Sequence, residues 1–175
     1  LVDVKCCHGY LMHELLGARL RRGPYGGAFE NRTRLVAQII REIQSECPGL
    51  AIGVRLSVTD MAPFSPSPET RIGEPTIKTP YECGFGIDPN DPMSPDLSEP
   101  FQFLSLLRDL GVRMINVTVG VPYYTPHLQR PAAYPPSDGY LPPEDPLIGV
   151  QRHLKITRDC KAAFPDMVFV GSVYT

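Results

Sequence analysis

Val2-Asp3-Val4-Lys5-Cys6-Cys7-His8-Gly9-Tyr10-Leu11 opens as a strand and closes as a turn crowded with ionisable side chains. Side chains alternate faces along a strand, so Val2 and Val4 share one face while Asp3 and Lys5 share the other. The apolar face has to pack against something. The polar face points where charge is tolerated, and Lys5, His8 and Tyr10 follow closely at its end.

The same two-faced pattern recurs along the chain. Residues 51–57 read as a second strand, with Ile52, Val54 and Leu56 on one face and Gly53, Arg55 and Ser57 on the other. Residues 114–119 are a third, with Ile115, Val117 and Val119 opposed to Asn116 and Thr118. Residues 167–171 are a fourth. Between them lie helical stripes. Leu35, Val36, Ile39, Ile40 and Ile43 mark a helix that Asn31 can cap and that Pro48-Gly49 stops. Phe103, Leu104, Leu107 and Leu110 mark another, opened by Pro100 and ended by Gly111. A third helix is expected over 148–164, and a short helical turn over 11–16. Two long Pro-rich loops, 58–98 and 120–146, follow the second and third strands.

Regular alternation of strand and helix predicts a parallel sheet with helices outside it. Long loops after strands, short returns after helices and polar residues at strand ends suit the mouth of a (β/α)8 TIM barrel. A doubly wound open sheet would carry a Gly-rich phosphate turn after its first strand. Arg22-Gly23-Pro24-Tyr25-Gly26-Gly27 lacks the Lys-Ser/Thr of a phosphate loop and reads as an ordinary turn. A full barrel needs about 250 residues and eight strands. This chain has 175 residues, begins at Leu1 inside a strand and ends at Thr175 just past another. The expectation is one partial barrel domain, residues 1–175, taken from something larger.

A net charge of −2 offers no footprint for nucleic acid or a membrane surface. No apolar run is long enough to span a bilayer, and no signal peptide is visible. The five cysteines are odd in number and lack metal-knuckle spacing, so they read as reduced thiols of an intracellular, cytoplasmic protein. Adjacent thiols ligate one metal poorly, which argues against a metal at Cys6-Cys7-His8.

Several stretches together resemble one family. His8-Gly9-Tyr10-Leu11, Glu14-Leu15-Leu16, residues 25–32 (Tyr25-Gly26-Gly27-Ala28-Phe29-Glu30-Asn31-Arg32) and Gly53-Val54-Arg55-Leu56-Ser57 look like the Old Yellow Enzyme family of NADH:flavin oxidoreductases. The likeness is dense over residues 1–57 and looser through residues 116–120 and 170–173. It implies an FMN-binding TIM barrel, of which this chain supplies about strands four to seven. It also implies hydride transfer from NAD(P)H, through FMN, to an activated alkene such as an α,β-unsaturated carbonyl, the small-molecule substrate.

The resemblance assigns roles by position. Tyr10 matches the tyrosine that protonates the substrate α-carbon. His8 matches the residue that hydrogen-bonds the activating carbonyl oxygen. Lys5 stands where the family usually has a second histidine, a compact permanent cation in place of an imidazole, suited to a more anionic substrate oxygen. Arg55 matches the arginine beside the flavin's N1–O2 edge. Gly171 and Ser172 match the turn whose backbone N–H groups hold the FMN phosphate. The iron–sulfur cysteine run of some members is absent from this segment.

Plainer readings stand beside these. Lys5 can pair with Asp3 on the same strand face, His8 can be a satisfied loop histidine, and Tyr10 can pack in the core with its hydroxyl on backbone. Arg55 can belong to a structural ion pair. A different enzyme class is also open, with Lys5 as the Schiff-base lysine of an aldolase-type barrel. Finally, a half-barrel by itself can be inactive and hold little FMN, its exposed edge strands favouring a homo-oligomer.

Overall fold

The computed structural model describes residues 1–77, 79–133 and 139–172. Lys78 and residues 134–138, which fall in the two long loops, lie outside the described residues, as does Val173 of the fourth-strand motif. Strand β1 (Val2–Cys6) leads into the short helix α1 (Leu11–Leu16) and the long helix α2 (Phe29–Glu46). Strand β2 (Ile52–Ser57) follows, then the short strands β3 (Phe64–Pro66), β4 (Gly73–Pro75), β5 (Ile87–Asp88) and β6 (Asp91–Pro95). Helix α3 (Ser98–Asp109), strand β7 (Met114–Thr118), helix α4 (Pro126–Gln129), helix α5 (Pro146–Ala163) and strand β8 (Val168–Gly171) complete the order.

The main sheet is parallel, in the order β1-β2-β7-β8. Its strands are neighbours in space in the order they are reached in sequence, apart from the short pairs within the loop after β2. Parallel partners face the same side, so the register sorts the residues. Val4, Val54 and Ile115 form one row, and Cys6, Leu56 and Val117 another. All six are buried, none more than 5% exposed, against Val36 and Ile40 of α2 and Phe103, Leu104 and Leu107 of α3. Each such side chain contributes about 1.5–3 kcal/mol by leaving water. The other face carries the row Lys5, Arg55, Asn116 and Val170. There Val168 and Val170 are exposed, and Lys5, Arg55 and Asn116 are half-buried. Among the described residues the sheet is thus covered by helices on one side only, with β1 and β8 as its edges.

The strands and helices fall close to their expected places, with differences at the ends. Asn31 does not cap α2. The cap is Ala28, without a side-chain bond, and Asn31 sits in the first turn accepting from the Arg34 guanidinium. Helix α3 starts two residues before Pro100 and α5 starts at Pro146, where Asp145 accepts from the Leu147 N–H at 2.8 Å. The largest difference is the loop after β2. It contains two antiparallel pairs, β3–β4 and β5–β6. Among the described residues no helix is long and apolar enough to cross a membrane.

Arg32 explains part of the Glu30-Asn31-Arg32 motif. It is 3% exposed, donates to the carbonyls of Leu16 and Gly27, and pairs with Glu99 at the start of α3, to which Arg19 also donates at 2.8 Å. Those bonds clamp α1, the Gly-rich turn and α3 together. Burial opposes ionisation of Glu99, but the two guanidiniums more than offset it and hold its carboxyl below the usual range. Removing one member of such a partly buried pair leaves the others unsatisfied. Arg32→Met is therefore expected to lower unfolding free energy by about 3 kcal/mol, read from urea denaturation. A loss below about 1 kcal/mol would contradict the clamp.

Candidate active site

The rim of interest lies where β1, β2 and β7 end. After Cys6 the chain turns through His8 and Gly9, both in the left-handed region, with φ of 61° and 71°. Glycine tolerates that geometry, whereas histidine adopts it at a cost that surrounding bonds must offset. Two bonds do so. The His8 N–H donates to the Ser57 hydroxyl at 3.2 Å, and the Gly9 N–H donates to His13 Nδ1 at 2.9 Å. Ser57, itself fully buried, passes its own proton donor to the Gly120 carbonyl at 3.0 Å.

His13 is buried on α1 and was not singled out by its sequence context. Its Nε2 lies 3.1 Å from Asp60 Oδ1, an ion-pair distance without hydrogen-bond alignment. Burial pulls the ring's proton affinity down and the Asp60 carboxylate more than restores it, for a net rise. The Gly9 donor keeps Nδ1 bare, so Nε2 is the nitrogen that carries the proton. Asp60 also accepts from the Phe85 N–H at 2.9 Å, which returns the long loop after β2 to the strand ends.

Lys5 and Arg55 are direct partners across β1 and β2, on the open face of the sheet. Lys5 does not pair with Asp3 among the described residues. Its ammonium rests instead on the Tyr10 ring, 3.4 Å from the centroid. A contact of this kind is worth about 0.5–2 kcal/mol. Tyr10 is 47% exposed, which removes the core-packing reading, and its hydroxyl lies 3.3 Å from that of Tyr123. Arg55 forms no ion pair among the described residues. Among the described residues its buried Nε has no hydrogen-bond partner, and neither does Oδ1 of its neighbour Asn116. Lys5, His8, Tyr10 and Arg55 are therefore gathered on one rim.

The His8 ring reaches across the sheet to β7 and α4. Its Nε2 lies 3.3 Å from Thr118 Oγ1 and 3.3 Å from the Gln129 amide nitrogen. Burial, and then the charges of Arg55, Lys5 and His13, lower its pKa from 6.5 to about 4. The ring is thus neutral at physiological pH. Gly171 and Ser172 lie at the far edge, at the end of β8. Gly171 is the register partner of Val117, and the Ser172 hydroxyl donates to the Val117 carbonyl at 2.7 Å. Strands β2 and β7 lie between them and Lys5 on β1. A cavity of about 190 Å³ is lined by His13, Asp60, Tyr81, Cys83 and Tyr124, among others, but not by Lys5, His8 or Arg55.

About a third of the chain is similar in sequence to NADH:flavin oxidoreductases of the Old Yellow Enzyme family. An NADH:flavin oxidoreductase of Gibberella zeae is 43% identical over 63 residues, 34% of this chain and 15% of the relative. An NADPH dehydrogenase of Halalkalibacterium halodurans is 39% identical over 64 residues, 35% of this chain and 19% of the relative. An NADH-dependent flavin oxidoreductase of Aspergillus parasiticus is 32% identical over 65 residues, 35% of this chain and 15% of the relative. The match thus spans less than a fifth of the length of these curated relatives. No protein-family model matches the chain.

The lowered pKa of His8 has a consequence for pH dependence. An unfolded histidine titrates near 6.5, so below that pH the unfolded chain takes up a proton that folded His8 refuses. The contribution to stability is complete above pH 6.5 and is lost as pH falls to about 4. An NMR titration is expected to show the His8 ring still neutral at about pH 5.5, while an exposed histidine is mostly charged. A His8 midpoint at or above the ordinary value would contradict the description of its surroundings.

Proposed function

We propose that this segment belongs to an FMN-dependent NAD(P)H oxidoreductase that reduces activated alkenes, and that it supplies about strands four to seven of a TIM barrel. The observation that carries the reading is the convergence of Lys5, His8, Tyr10 and Arg55 on the one sheet face that helices leave open. The likeness to flavin oxidoreductases supports it over the matched third of the chain.

The open face suits a flat cofactor that takes on negative charge when reduced. It offers the Lys5–Arg55 cations, two buried polar atoms on Arg55 and Asn116 that have no partner among the described residues, and the exposed apolar side chains of Val168 and Val170. Arg55 would hold the pyrimidine edge of FMN, and the backbone at Gly171 and Ser172 would hold its phosphate. When bound, FMN supplies hydride, taken from NAD(P)H, to the β-carbon of the alkene.

The chain's own residues account for the rest. Negative charge builds on the substrate's carbonyl oxygen, and donors placed beforehand at that oxygen lower the barrier. His8 is suited to this as a neutral donor, and Lys5 as a charged one beside it. Tyr10, a half-exposed residue, would deliver a proton to the α-carbon as general acid and regain one from water. Arg55 places fixed positive charge where a reduced flavin accumulates negative charge. The Schiff-base reading of Lys5 gains no support, because its ammonium lies on an aromatic face and not in an apolar pocket that would activate it.

A general acid of this kind contributes about 10²–10⁴-fold to rate. In the protein carrying this segment, Tyr10→Phe is expected to slow alkene reduction by about 10²-fold or more while NAD(P)H still bleaches the flavin at the usual rate. A purified protein without flavin, or one in which Tyr10→Phe leaves turnover unchanged, would contradict the reading. The four-stranded sheet alone gives only part of a barrel's enclosure. The 175-residue chain by itself is expected to hold little FMN, checked by the visible absorbance of the purified chain; stoichiometric flavin would count against it.

A further inference from the structure

We infer that Gln129, with Thr118, is a positioning residue that occupies His8 Nε2 and so leaves Nδ1–H as the donor that His8 offers to a bound substrate; this rests on the reading of the rim given above. Both contacts converge on one ring nitrogen, at 3.3 Å each. The other, Nδ1, makes no hydrogen bond among the described residues. An amide N–H can only donate, so Gln129 requires a bare Nε2, and a neutral imidazole with bare Nε2 carries its proton on Nδ1. The Thr118 hydroxyl, free to rotate, can donate to the same lone pair.

Gln129 does not sit on a loose loop. It ends α4, whose Leu128 is fully buried and whose Leu128 carbonyl lies 2.8 Å from His153 Nε2 on α5. The turn before α4 is tied by Thr125, whose N–H donates to the Val121 carbonyl at 2.8 Å and whose hydroxyl accepts from the Val121 N–H at 3.2 Å. Gly120 opens that turn at φ 65°, where an added Cβ would stand 2.8 Å from Thr125 Oγ1 and 2.9 Å from Leu128. The loop after β7 is thereby shaped to bring the Gln129 amide to the His8 ring at the end of β1, 121 positions away in sequence, and α5, by holding α4, helps to set the orientation of that ring.

Nitrogen-15 NMR of the 175-residue chain reads the ring directly and needs neither substrate nor cofactor. Its failure therefore overturns the positioning role alone, while the reading of the rim stands or falls by alkene reduction. Lys5, Arg55 and His13 also act on the ring and are left unchanged. Wild type is expected to show His8 in the Nδ1–H form. Gln129→Met should allow a mixture of both forms and raise the His8 midpoint by about one pH unit, because the donor that resists protonation is gone. Gln129→Glu should reverse the preference and draw the proton to Nε2, an outcome that a mere packing defect does not produce. Should Gln129→Met fail to fold, Gln129→Glu decides alone. A wild-type proton on Nε2, or variants with the wild-type ring form and midpoint, would overturn the inference.

Discussion

The bond on which the rim depends is the one made by a single buried hydroxyl. Ser57 accepts from the His8 N–H and donates to the Gly120 carbonyl. It stands at the end of β2, the strand between β1 and β7, and so joins the ends of three neighbouring strands. Both of its partners have left-handed backbones, His8 at 61° and Gly120 at 65°. A hydroxyl that donates once and accepts once in full burial has little freedom to rearrange. That fixes the departure of the chain from β1, and with it the positions of the His8 ring and the Tyr10 side chain. Arg55 lies two residues earlier on the same strand and on the same face, so the anchor and the cation it serves share one rigid element.

The electrostatics of the rim follow from the two unlike faces of the sheet. One face gives every side chain to the helices. The other collects Lys5 and Arg55 with no carboxylate paired to either among the described residues. Burial, reinforced by that concentration of positive charge, keeps His8 neutral, whereas His13, a few residues on, faces Asp60 and is driven the other way. Two histidines close in sequence thus have opposite tendencies because one looks at guanidinium and the other at carboxylate. The division is what a site handling a developing negative charge requires: a neutral donor, fixed cations and a phenol within reach.

The parallel sheet was legible because a period of two is visible wherever one face is buried and the other is not. Val4, Val54, Ile115 and Val117 announced the core, and Lys5, Arg55, Asn116 and Thr118 announced the opposite face. The loop after β2 was opaque for a physical reason. Its strands are two to five residues long and rich in proline, so they show no period at all, and their pairing is set by backbone geometry instead. The capping role expected of Asn31 failed because the helix begins earlier, where Ala28 supplies an extended residue but no side-chain bond. Among site residues, Ser57 and Thr118 could be found from their places at the polar ends of strands. Gln129 could not, since nothing local distinguishes a glutamine in a four-residue helix, and its contact with His8 exists only once α4 docks on α5. Lys5 was placed on the right face, but with the wrong neighbour. Asp3 shares that face and stays exposed, while the Tyr10 ring offers a closer and partly desolvated surface.

The central claim is that the row Lys5, Arg55, Asn116 and Val170 is the floor of a flavin site, with Tyr10 and His8 above its edge. A crystal structure of the protein that carries this segment, with FMN bound, tests it most directly. The account predicts the isoalloxazine ring against that row, the Arg55 guanidinium at its pyrimidine edge and the Tyr10 hydroxyl facing the same side. A flavin bound elsewhere, or an Arg55 side chain turned among the helices, would contradict it.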